Sequence, residues 1–203
     1  MSTTASRSAL RLSIFTVVYN LLEGIASLWA GGWAGSIALV GFGLDSILES
    51  LSGGVMIWRF GFHGPAGDEE TERVEQRAVR LVGGTFFLLG AYVLFESVSK
   101  IIRREAPASS LPGLIIAAIS LVVMPALFVL KRRTANKLGS TSLLADSKQS
   151  LACMVLSGAL LLGLGLNMLF GFWLADPLVG ILTAGYLFRE GWEALREKQL
   201  CGC

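Results

Sequence analysis

Six apolar runs, each of twenty residues or longer, take up almost the whole chain. The hydrocarbon core of a bilayer is about 30 Å thick, so a helix needs about 20 apolar residues to cross it. The runs fall at 9–29, 36–58, 79–102, 111–130, 140–164 and 168–188 of the 203 residues. With 53% hydrophobic residues and a mean hydropathy of +0.64, the chain is too apolar for an ordinary water-soluble domain. The expected fold is an all-α integral membrane protein: a six-helix transmembrane bundle over 9–188 with short tails at 1–8 and 189–203. Membrane lipid is then an obligatory partner. The net charge of +2 gives no reason to expect nucleic acid.

Cationic loops orient such a bundle, because Lys and Arg are retained on the cytoplasmic side. With the N-terminus inside, that side holds thirteen of the 17 Lys and Arg residues, and the other side only Lys100, Arg103 and Arg104. Lys148 falls within a span. Both termini are therefore expected in the cytoplasm, in a multi-pass protein of the cell membrane. The first run is not a cleavable signal: it is too long, it contains Glu23, and five more runs follow. Three cysteines make no disulfide framework, and Cys201 and Cys203 supply only half a tetrahedral metal site. His63, in the hydrophilic loop 59–77, reads as a solvated loop residue; a role in metal capture with Asp68, Glu69 and Glu70 is the weaker reading.

Two runs break the apolar pattern with metal-capable groups, which are costly at membrane depth and usually kept for function. In GFGLDSILES (41–50), Asp45 and Glu49 are i, i+4 and share one helix face, about 6 Å apart along the axis. Two carboxylates so placed repel when both are ionised. A proton or a divalent cation relieves that repulsion, which is the physical basis for exchanging one for the other. In LLADSKQSLAC (143–153), Asp146, Gln149 and Cys153 form a second stripe at i, i+3 and i+7. Glu49 and Cys153 are placed near the midplane and Asp146 nearer the cytoplasmic surface. If spans two and five pack together, oxygen and sulfur ligands converge, a set suited to zinc or a similar transition metal rather than magnesium or calcium. Asp146 reads equally as a helix-end residue, Cys153 alone as a small buried hydrophobe, and Gln149 as a group that orients a ligand. Lys148 is expected to snorkel or to act as a tethered charge.

The remaining polar residues are read more plainly. Glu23 of span one and Glu96 of span three read as further buried acids, either one a candidate proton-relay or entry-path group, with pairing to Lys100 at i, i+4 the favoured reading of Glu96. Asn20 and Asn167 are interhelical hydrogen-bonding groups. Gly83, Gly84, Gly90, Gly158, Gly163 and Gly165 read as close helix packing. Residues 106–113 form a Pro/Ser turn and 131–141 a basic cytoplasmic connection. In WLADP (173–177) the proline suits a first helical turn and Asp176 can cap that helix. The last twelve residues before the tail cysteines suggest a short amphipathic helix. A shift of 104 residues aligns Gly35, Ser36 and Leu39 with Gly139, Ser140 and Leu143, and Ser46 with Ser150, a weak internal repeat of a kind transporters use to build sites.

The six spans, the run GSIALVGFGLDSILES, the run LLADSKQSLAC, FES in span three and WLADP before span six together resemble the cation diffusion facilitator family. The resemblance implies export of zinc or related divalent metals from the cytoplasm, usually by proton exchange, by a homodimer. It also implies a tetrahedral site from two residues of span two and two of span five, each pair spaced by four. Carried over, these positions are Asp45 and Glu49, then Gln149 and Cys153, with Ala145–Asp146 matching the Ala–Asp that commonly precedes the second pair. Span two is close to pattern, with Glu for Asp, whereas span five departs from it at both ligand positions. The cytoplasmic metal-binding domain that usually follows span six is not seen, so the resemblance is to a compact, divergent branch in which dimerisation would rely on the spans.

The leading expectation is a secondary transporter, not an enzyme, with no prosthetic group and with a divalent metal ion and protons as its cargo. A non-transporting membrane protein that binds metal or regulates a partner is the second reading. A proton-coupled exporter of organic cations using Glu49 is the third.

Overall fold

Helix α1 (Thr3–Ala34) turns its polar side inward. Ser13, Thr16, Asn20, Glu23 and Ser27 recur at helical spacing and are all buried, while Phe15, Leu22, Ile25, Trp29 and Trp33 on the other faces are exposed. A water-soluble helix does the reverse. Lipid is the solvent that tolerates this arrangement, because apolar side chains cost nothing against acyl tails and polar groups must find partners inside.

The computed structural model describes residues 3–58, 69–139 and 141–196. After α1 come α2 (Ile37–Trp58), α3 (Glu69–Arg103), α4 (Leu111–Leu138), α5 (Thr141–Phe170) and α6 (Ala175–Arg196). No strand occurs among the described residues. Four of the helices, α1, α3, α4 and α5, contain stretches long and apolar enough to cross a membrane. The most extensive packing joins α1 to α2, α4 to α5 and α3 to α6; α1 also packs on α4, and α2 on α5. The six-helix membrane bundle expected from the sequence is the architecture observed.

Its boundaries differ from expectation where hydropathy is blind. The apolar sequence around 164–175 hides a turn: α5 continues to Phe170, Gly171 takes φ +64°, and α6 begins at Ala175 rather than near 168. Helix α3 starts at Glu69, well before its apolar run, and α6 carries on to Arg196, taking in the described part of the segment expected as a short amphipathic helix. Helix α4 runs on through Leu138, so the basic segment is helix and not loop. Ser110 caps its start by accepting from Gly113 N at 3.1 Å, and Gly139 ends it with φ +61°. His63 and Asp68, the side chains of Glu69 and Glu70, and the tail cysteines lie outside the described residues.

Helices α1 and α2 approach closely enough that their glycines matter. A Cβ at Gly43 would stand 2.9 Å from Gly24 O and 3.0 Å from Leu28 N, which no real Cβ does. Among the glycines picked from the sequence, Gly90 and Gly163 are tightly packed, but Gly84 and Gly165 face open space. The turn after α1 is held from three directions. Lys100 Nζ donates to Gly35 O at 2.6 Å, so it does not form the expected pair with Glu96. Ala108 N donates to Ala34 O at 2.8 Å. Asp176 does not cap its own helix: it accepts from Ser36 Oγ and, at 2.9 Å, from Ile37 N, and so caps α2 from across the bundle.

Candidate metal centre

Asp45 and Glu49 sit one turn apart on the buried face of α2, as their spacing requires. Both are buried, at 1% and 4% exposure. Cys153, fully buried on α5, faces them. One ligand atom from each of the three lies within 4.8 Å of the other two. In a tetrahedral zinc site, metal–oxygen bonds of about 2.0–2.2 Å and a metal–sulfur bond of about 2.3 Å set neighbouring ligand atoms about 3.5 Å apart. The cluster is therefore within roughly an ångström of closing on an ion.

The hydrogen-bond inventory says the same thing differently. Neither oxygen of Asp45 has a hydrogen-bond partner among the described residues, nor does Glu49 Oε1. Glu49 Oε2 accepts from Asn20 Nδ2 of α1 at 2.7 Å. Buried carboxylate oxygens without donors are expensive, and a proton or a cation bound there removes the expense. Metal binding would also take the thiol proton of Cys153, since the thiolate is the ligand.

Asp146 and Gln149, the other candidate ligands, have different surroundings. Asp146 is buried two turns before Cys153 and meets Lys131 of α4, whose ammonium lies 2.9 Å from Oδ2 in an ion pair rather than a well-aimed hydrogen bond. Lys131 also donates to Ser150 Oγ at 3.0 Å. The sequence placed Lys131 in a cytoplasmic loop; it is 1% exposed, inside the bundle. Gln149 is half-buried one turn before Cys153, and Lys148 is exposed on the outer side of α5.

A second polar group lies against the cluster. Glu23 accepts from Tyr19 Oη at 2.8 Å and from Ser46 Oγ at 3.0 Å. Ser157 Oγ donates to the carbonyl of Cys153 at 2.7 Å and lies 2.8 Å from Ser120 Oγ. Several of the interior hydroxyls, including those of Ser46, Ser50, Ser97 and Ser157, bond back to the carbonyl four residues earlier. That habit satisfies them inside a membrane helix without a second helix. Lys131 and Asn20 are the residues at this site whose placement the sequence reading underrated.

The chain is similar to known proteins over most of its length. The cation efflux transmembrane domain matches residues 13–199. The cation-efflux pump FieF of Shewanella oneidensis is 21% identical over 193 residues, covering 93% of this chain. The chain spans 62% of that relative's length.

Proposed function

Because this chain belongs to the cation efflux family, we propose that it carries a divalent transition metal, zinc being the best fit, out of the cytoplasm in exchange for protons. The observation that supports this most is the convergence of Asp45, Glu49 and Cys153 within 4.8 Å. Two oxygens and a sulfur from two helices suit a borderline-soft ion and leave room for another donor. All three groups hold protons in competition with a metal, so binding one releases the other. That competition is what lets a proton gradient drive metal uphill without a nucleotide site.

Two helices supply the ligands, so a relative movement of α2 and α5 would make and break the site. The ion pair of Lys131 and Asp146 flanks it on the side of the α4–α5 turn, which the distribution of Lys and Arg makes the cytoplasmic side. In this reading Asp146 is a structural partner of Lys131, and Gln149 is left as a polar neighbour of the cargo's path. Membrane-embedded homodimerisation fits the family and is part of the proposal.

The test is flux. Purified protein in liposomes with a trapped metal-sensitive dye is expected to take up zinc only with a pH gradient, and Asp45→Ala is expected to abolish uptake. Silence of the wild-type protein with zinc and with other divalent metals would overturn the transporter reading. The non-transporting reading would then stand in its place.

A further inference from the structure

Asn20 stands on a third helix beside the cluster, and only half of its amide is accounted for. The side chain is fully buried. Nδ2 donates to Glu49 Oε2 at 2.7 Å. Oδ1, sealed from solvent, has no hydrogen-bond partner among the described residues. Amide bond lengths hold the oxygen about 2.3 Å from its nitrogen, so Oδ1 lies within about 5 Å of Glu49 Oε2. The three converging ligand atoms are spread over a similar distance, 4.8 Å.

We propose that Asn20 Oδ1 is the fourth ligand of the divalent-metal site, completing a shell of three oxygens and one sulfur. This rests on the metal-site reading given under the proposed function. Three ligands leave one corner of a tetrahedron open. Asn20 reaches it from α1, a third helix, through the hydrogen bond that already joins it to Glu49. The amide does two things at once. Its N–H orients the Glu49 carboxylate, the kind of support that metal ligands commonly receive. Its carbonyl oxygen adds a donor without adding charge. Asp45, Glu49 and Cys153 together already carry more negative charge, when deprotonated, than a divalent ion neutralises. A neutral fourth donor holds the ion and still lets it go, as a cargo site must.

The test separates a ligand from a mere helix-to-helix hydrogen bond by coordination number. The full chain, with Cys201→Ser and Cys203→Ser, is titrated with cobalt(II) in detergent at fixed pH. The thiolate-to-cobalt charge-transfer band reports occupancy at Cys153, and the intensity of the visible bands reports coordination number. Asn20→Asp keeps an oxygen ligand and adds a charge. It is expected to bind cobalt at least tenfold more tightly with four-coordinate bands, and to transport more slowly in liposomes. Asn20→Leu is expected to bind at least tenfold more weakly, with visible bands that lose intensity. A hydrogen bond alone predicts that neither variant changes the coordination number, because Asn20 would then touch only Glu49; the added charge of Asn20→Asp would raise affinity in either case. Four-coordinate bands unchanged in Asn20→Leu overturn the proposal. A wild-type protein without the charge-transfer band, or a Cys153→Ala protein that keeps it, removes the metal site itself and the inference with it.

Discussion

The α1–α2 and α4–α5 hairpins share a backbone plan and treat their acids in opposite ways. Each turns on a glycine with φ +61°, Gly35 in one and Gly139 in the other, at the 104-residue shift that relates the weak sequence repeat. Each is an extensively packed neighbour pair, and the repeat-related helices α1 and α4, α2 and α5, α3 and α6 pack on one another. In the first hairpin Asp45 is buried with neither oxygen bonded among the described residues. In the second, Asp146 is buried against Lys131 at 2.9 Å. A chain that supplies a cation for one buried acid and none for the other distinguishes structure from cargo site. On the function proposed above, the unsatisfied acid is the one whose counter-ion comes from outside.

That contrast can be broken most severely by exchanging roles. Asp45→Asn is expected to cost roughly 100-fold or more in zinc affinity, at least the loss seen when supporting groups of metal sites are removed. Folding should be unharmed, since a buried charge without a partner has been taken away. Equilibrium zinc binding and thermal unfolding of the same sample in detergent check both halves. Asp146→Asn is expected to do the reverse. It strands Lys131 inside the bundle and costs about 3–5 kcal/mol of stability. Lys131→Met combined with Asp146→Leu should recover most of that loss, because buried ion pairs replaced by apolar groups are often neutral. A stable Asp146→Asn protein that no longer binds zinc would mean that the two acids have been assigned the wrong way round.

Smaller changes sharpen the comparison. Asp176→Ala removes the cross-bundle cap of α2 and is expected to cost about 1–2 kcal/mol, read as a lowered unfolding midpoint. Gly35→Ala and Gly139→Ala force a left-handed alanine at equivalent turns, each costing about 1 kcal/mol. Similar losses from the two, with zinc affinity intact, would support equivalence of the two turns. A loss confined to one of them would argue that the repeat ends at the backbone.

Apolar periodicity made the helices legible because lipid leaves so few alternatives. The shared face of Asp45 and Glu49, and that of Asp146 and Cys153, were legible for a related reason: i, i+4 and i, i+7 spacings fix which side chains share a face, and the meeting of the two faces was expected only if spans two and five pack together. What escaped needed a partner from another helix. Lys131 begins the run Lys-Arg-Arg at the end of an apolar stretch, so its local context is that of a loop, and only Asp146 and Ser150 across the α4–α5 interface explain its burial. Asp176 precedes a proline at a helix start, the ordinary place for a local cap, yet the open N–H group it satisfies belongs to Ile37. The inward stripe of Ser13, Thr16, Asn20, Glu23 and Ser27 was present in the sequence at helical spacing. Read as a stripe, it would have put Asn20 beside the site.

The clamp on the turn before α2 has a mechanical consequence. Gly35, Ser36 and Ile37 are held by Lys100 of α3 and Asp176 of α6, so any tilt of α2 would pivot about its anchored N-terminal end. At 1.5 Å per residue, Asp45 lies about 12 Å from the pin and Glu49 about 18 Å. A tilt of about 5° therefore displaces Asp45 by about 1 Å and Glu49 by about 1.6 Å. Leverage of that size is comparable to the gap between a loose cluster of side chains and a closed coordination shell. Grip and release can then differ by a few degrees of one helix, with no bond broken at the pivot.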